Sequence, residues 1–220
     1  MLRRSLAMLV ACFAVVRLCT PAAGAVDAQI AQLTLRSQPG DFIGLGSNYD
    51  LTYVSPGGFP VDPRIPQTLP TGEPSEVSFW LQETTSSPYY SAASIVFNTT
   101  ELGLPLQPGT YRNAVRSVVA GPGQPGLDVS FAGRGCNQLT GQFTIEDVSF
   151  FRAPSGVLKL GNLTATFEQH CEGASPALFG ALTYHNLTAP ASVPEPGSLC
   201  LLSAGLLPLC GVARRRARSR

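Results

Sequence analysis

Proline and glycine cut the stretch from residue 26 to residue 192 into short pieces, and that punctuation restricts the chain to short extended segments. The breaks fall at Pro56-Gly57-Gly58, Pro63, Pro66, Pro70, Gly121-Pro122-Gly123 and Pro125-Gly126. Each proline fixes φ and removes a backbone donor, and each glycine weakens a regular element. Between the breaks, apolar residues alternate or gather as β-branched and aromatic runs, and no segment carries a 3.6-residue stripe. Val77, Phe79 and Leu81 share one face, with Ser78, Trp80 and Gln82 opposite. Other runs of strand character are Ile30–Leu35, Leu51–Val54, Ser94–Phe97, Tyr111–Val119, Leu127–Phe131, Leu158–Phe167 and Leu178–Tyr184. The expected class is all-β, an antiparallel β-sandwich or jelly roll of about eight short strands. Pro56 to Pro74 is too broken for a strand and is expected to form a long surface loop.

Cysteine placement adds a staple. Of six cysteines, Cys12 and Cys19 lie in an N-terminal apolar segment and Cys200 and Cys210 in a C-terminal one, leaving Cys136 and Cys171. They frame a hairpin: Gln142–Phe151, the turn Ala153-Pro154-Ser155-Gly156, then Val157–Gln169. Reflecting Cys136 through that turn lands about two positions past Cys171, so a disulfide at the open end is expected in an oxidising compartment. Closing a loop of about 35 residues stabilises the fold by roughly 3–4 kcal/mol in the chain-entropy model. Phe143 and Ile145 share a face, but Val148 and Phe150 have the opposite parity. One extra residue near Glu146-Asp147 restores them to one face, which predicts a β-bulge.

The two ends carry addresses. Arg3 and Arg4 precede an apolar run from Leu6 to Val16, and Ala23-Gly24-Ala25 offers a small-residue site for signal peptidase between Ala25 and Val26. A twin-arginine reading is weakened by Ser5-Leu6-Ala7, and a lipoprotein reading at Cys12 would cut very early. At the other end, Val193-Pro194-Glu195-Pro196-Gly197-Ser198 precedes an apolar run from Leu199 to Ala213 and five arginines, Arg214, Arg215, Arg216, Arg218 and Arg220. The prolines favour a stiff extended peptide. The run is about 22 Å long as a helix against a roughly 30 Å hydrocarbon core, and the arginines form a basic stop on the cytoplasmic side. This tail resembles a PEP-CTERM sorting signal, a tag that also circulates as the "ice-binding protein C-terminal domain". The resemblance covers residues 193–220 and implies processing by an exosortase, an integral-membrane transpeptidase. It implies a transient hold in the inner membrane, then delivery to the cell surface or beyond. It implies nothing about the cargo.

Three parts follow: a signal peptide (1–25), a β cargo (26–192) and a sorting tail (193–220) with a short membrane helix. The whole-chain charge of +1 conceals an acidic cargo. Between residues 26 and 192 stand seven basic and 13 acidic residues, a net −6. Nucleic acid is therefore not expected as a partner. A fainter resemblance, carried by Gly133–Gly141, Phe167–Gly173 and Pro176–Gly180, is to a module of exported bacterial proteins without an assigned activity.

No phosphate loop, Gly-x-Ser-x-Gly or His-Glu-x-x-His motif is present. The best chemical constellation is Glu168, His170, Glu172 and His185 with Asp128. With two histidines in the chain, a three-histidine zinc site is impossible. A bridged cysteine cannot act as a nucleophile. Adjacent Glu146 and Asp147 point to opposite faces of a strand, which suits a glycosidase poorly. No catalytic residue, metal or cofactor is expected. Trp80, Tyr89, Tyr90, Tyr111 and Tyr184 could form a sugar platform, with Trp80, Tyr89 and Tyr90 the candidates for sugar contact. Ice binding is disfavoured because no regular Thr-x-Thr repeat runs along the chain. The expected function is a structural or adhesive role at the surface or in an exopolysaccharide matrix, with matrix polysaccharide a possible partner. The alternatives are a carbohydrate-binding module and, behind it, a secreted hydrolase.

Overall fold

The computed structural model describes residues 28–55, 61–82 and 92–188. Ten strands lie within them: β1 (Gln29–Ser37), β2 (Asn48–Ser55), β3 (Val61–Arg64), β4 (Glu76–Leu81), β5 (Ala93–Asn98), β6 (Gly109–Arg116), β7 (Gly126–Phe131), β8 (Leu139–Arg152), β9 (Leu158–Cys171) and β10 (Ala177–Asn186). Short 3-10 turns at Thr100–Leu102 and Ser117–Val119 are the helical elements among the described residues. None of these residues forms a helix long and apolar enough to cross a membrane. The chain divides into Met1–Thr188 and Ala189–Arg220. The expected signal peptide (1–25) with its cleavage site at Ala25 and Val26, Tyr89, Tyr90 and the expected sorting tail (193–220) lie outside the described residues.

The expected all-β class is what forms. In place of two separate sheets, one ladder runs β2-β1-β10-β9-β8-β6-β7-β5-β4-β3 and curls until its two edge strands come near each other. Each neighbouring pair is antiparallel except β6–β7, which meet in parallel over Val115/Gly126 and Arg116/Leu127. Rolling puts one parity of each strand inside. Leu33, Leu35, Val77, Phe79, Leu81, Leu163, Ala165, Leu182 and Tyr184 are all buried there. Phe79 on β4 meets Tyr184 on β10 at 5.5 Å between ring centroids, and Phe97 on β5 meets Phe143 on β8 at 5.2 Å. These strands are remote in the ladder, so the contacts close the roll across its core. Gly180 opposes Phe167, and a Cβ there would run into the Phe167 ring.

The predicted bulge is Glu146: Ile145 pairs with Ala165 and Asp147 with Thr164, leaving Glu146 as the extra residue. Val148 and Phe150 consequently pack against the core. The staple also forms. Cys136 and Cys171 are disulfide-bonded with Cα atoms 5.1 Å apart. Two expectations need correction. The stretch from Pro56 to Pro74 contains a strand, β3, whose Val61–Arg64 pairs with Ser78–Leu81. Because β3 is an edge strand, Pro63 sits where a missing donor is tolerated. The run Tyr111–Val119 stops being a strand at Arg116, and Val118 and Val119 project into solvent from a 3-10 turn.

The weak seam is β6–β7, where pairing lasts only two residues. Beyond it, the side of β7 turned away from β5 is closed by other groups. Val129 N–H donates to Oε1 of Gln169 at 2.9 Å, and Nε2 of Gln169 donates to Val129 O at 2.8 Å. Phe131 exchanges both backbone bonds with Arg134, at 2.9 and 3.0 Å. A buried side-chain amide thus stands in for a missing strand neighbour. Across the seam, the Tyr111 hydroxyl donates to Gln107 O at 2.8 Å while its ring stacks on Phe143 at 4.8 Å, fixing the entry to β6.

Candidate functional site

The parity that fills the core leaves alternate side chains on the outside of β1, β10, β9, β8 and β6. Strand register aligns them in two rows. One runs Arg36, Phe179, Glu168, Gln142, Arg112; the next runs Thr34, Ala181, Thr166, Thr144, Thr110. At about 4.8 Å per strand, each row extends about 19 Å. Together they line a shallow cleft of about 470 Å³. A recess of about 260 Å³ extends it around Arg112, Asn113, Gln142, Glu168 and His170. Asn113 stands at a β6 register shift with φ of 56°, a left-handed conformation that asparagine tolerates better than most residues.

A chain of polar contacts crosses the cleft. Arg112 Nη1 donates to Gln142 Oε1 at 3.1 Å, and Gln142 Nε2 donates to Glu168 Oε2 at 2.8 Å. The other Glu168 oxygen meets His170 Nε2 at 3.0 Å, and His170 Nδ1 meets Ser175 O at 3.0 Å. Both histidine partners are acceptors, so the ring makes both bonds only when each nitrogen carries a proton. His170 and then Gln142 hold the Glu168 carboxyl below the usual carboxylate range by hydrogen bonding. Thr110 and Thr144 hydroxyls lie 3.0 Å apart, an exposed cross-strand pair. Arg36 is bound to Asp50 at 2.6 Å. Phe179, 39% exposed, supplies an apolar surface at the β10 position of the first row.

The sequence-level candidates are scattered by the fold. Glu168 and His170 share a face and pair directly. Glu172 is drawn off to accept from Asn137 N at 2.6 Å and Gln138 N at 3.3 Å, tying the cysteine-bearing loop. His185 meets Asn162 Oδ1 at 3.4 Å, and Asp128 meets Arg116 at 3.2 Å on β7. Burial pushes the Asp128 carboxyl up, with Arg116 pulling against it. Among the described residues no group of three His, Cys, Asp or Glu side chains could hold a metal ion. Tyr111 and Tyr184 are core residues. Trp80 is 48% exposed, but it stands on β4 and bonds Gln82 at 3.2 Å, away from the strands that build the cleft.

Comparison with protein-family models, with curated proteins and with solved structures finds no match for this chain. The tail's resemblance therefore rests on its own residues. Arg36, Arg112, Gln142, Phe179 and the threonine row were not singled out by sequence reasoning. Their signal is alternation: Thr34-x-Arg36, Thr110-x-Arg112, Gln142-x-Thr144 and Thr164-x-Thr166-x-Glu168-x-His170 all have one parity. Threonines that form no repeat along the chain line up across it.

Proposed function

We propose that this chain is an exported surface or matrix protein, delivered by a PEP-CTERM-type tail, whose rolled β domain adheres to matrix polysaccharide through the outer cleft. The observation that carries this reading is the lining of that cleft. It is long, shallow and solvent-facing, and its threonine hydroxyls, Gln142 amide, Glu168 carboxylate and two arginines can exchange hydrogen bonds with a hydrated polymer of hydroxyl groups. Phe179 adds a face on which a sugar ring can rest. A small apolar ligand would want an enclosed, mostly hydrophobic pocket instead.

The role is structural or adhesive, and non-catalytic. Retaining and inverting glycosidases use two carboxyl groups flanking the bond to be cleaved, whereas Glu168 is the single carboxylate among the cleft's lining residues. Both its oxygens are already engaged. Delivery is argued from the sequence: a signal segment ending at Ala25, and the Val193-Pro194-Glu195-Pro196 motif ahead of an apolar run and arginines. The test is incubation of the purified protein with polysaccharide from the producing cells, measuring retention and released fragments. Retention without fragments is the expected result. Fragment release would overturn the non-catalytic reading, and absence of retention would overturn the polysaccharide contact.

A further inference from the structure

We infer that the cleft selects a carboxylate-bearing polysaccharide, a chain containing uronic acid units, and that Arg112 is the residue that reads the carboxylate. This rests on the polysaccharide reading above and narrows it. Arg36, Arg64 and Arg116 each bind a carboxylate of this chain, Asp50, Asp62 and Asp128 respectively. Arg112 does not. Its guanidinium is exposed on β6 and its hydrogen-bond partner is the neutral amide of Gln142, at 3.1 Å. The one acid that lines the cleft, Glu168, is turned to Gln142 and His170. Arg36 and Asp50 cancel at the far end of the row, so Arg112 is the cation of the cleft whose charge no carboxylate contacts directly, on a domain of net charge −6.

A neutral sugar gives that cation nothing to neutralise. A uronate carboxylate offers two oxygens to the guanidinium fork, a charge-assisted geometry that hydroxyl groups cannot match. The domain's overall negative field is screened beyond about 8 Å at physiological salt, which leaves the contact at Arg112 to decide selectivity.

The experiment uses the full-length chain in mild detergent, with polygalacturonate and alginate, each beside its own carboxyl-reduced form. Wild type should bind the carboxylated polymers at least about tenfold tighter than the reduced ones. Arg112→Gln should erase that preference, and Arg112→Lys should retain part of it, both with the wild-type melting temperature because the side chain is exposed. Equal affinity for a polymer and its reduced form overturns the inference while the polysaccharide reading stands. A preference that survives in Arg112→Gln also overturns it. Retention of neither form sinks both.

Discussion

Gln169 is the residue on which the integrity of the roll should depend most visibly. It sits on β9, is 1% exposed, and gives both ends of its amide to the backbone of Val129 on β7. Nε2 also lies 3.2 Å from Sγ of Cys136. Gln169→Leu keeps the volume and removes the hydrogen bonding. It leaves a buried N–H and a buried C=O without their partner, at about 1–3 kcal/mol each, and recovers about 1–2 kcal/mol from the added apolar burial. The net loss is about 3 kcal/mol. For a domain of this size the melting temperature should fall by about 6–12 °C. Thermal unfolding of the oxidised protein, followed by circular dichroism, reads this directly, and exchange of the Val129 amide should lose its protection. Gln169→Glu supplies the discriminating control. Its ionised carboxylate can still accept from Val129 N–H but faces the Val129 carbonyl with no proton to donate. Protonation at low pH restores the donor, so the melting temperature relative to wild type should recover as pH falls. A Gln169→Leu protein melting within about 2 °C of wild type would refute the idea that this amide substitutes for a strand.

Two further outcomes follow from the same structure and a third from the sequence of the tail. Glu76 is buried at 8% exposure, accepts from Asn98 Nδ2 at 2.7 Å, and burial raises its pKa. Between the ordinary glutamate pKa and the raised one, the folded state holds a proton that the unfolded state has released, so its contribution is fully present below the ordinary glutamate range and is lost as pH rises through the raised value. Glu76→Gln should melt higher than wild type at neutral pH, with the difference shrinking on acidification; a pH-independent difference would contradict the assignment. Reduction of Cys136–Cys171, or its replacement by serines, opens a loop with a sequence separation of 35 and should cost about 3–4 kcal/mol, measured by urea unfolding. Substituting alanine for Pro194 and Glu195 should leave the protein in the membrane fraction with its tail attached, read by intact mass; normal release would refute the sorting assignment.

Much of the fold was legible because strand parity is local. The alternation of Val77, Phe79 and Leu81, the parity break at Glu146 and the cysteine spacing about the Ala153–Gly156 turn each follow from a few neighbouring residues. The errors came where context overrides local rules. Pro63 forbids a central strand but not an edge strand, and edge position is a property of the whole sheet. The single rolled sheet depends on contacts such as Phe79 with Tyr184, far apart in sequence, so the chain's punctuation suggested strands without fixing how they close. The cleft was half visible. Glu168 and His170 stood out because they are titratable and two apart, whereas Arg112, Gln142 and Phe179 join them only through the registers of β6, β8, β9 and β10. Gln169 read as one polar residue in a strand, and nothing nearby in sequence names Val129 as its partner.

Thr166 offers the most direct test of the central claim. It is exposed in the middle of the cleft, between Ala181 on β10 and Thr144 on β8. Thr166→Trp would fill the groove without touching the core, so folding should be unchanged while access is blocked. Co-sedimentation of wild type and variant with the native matrix polysaccharide measures the consequence. The variant should lose about nine-tenths of its retention, equivalent to a tenfold weaker affinity, at an unaltered melting temperature. Equal retention of the two proteins would place polysaccharide contact elsewhere on the molecule and contradict the account.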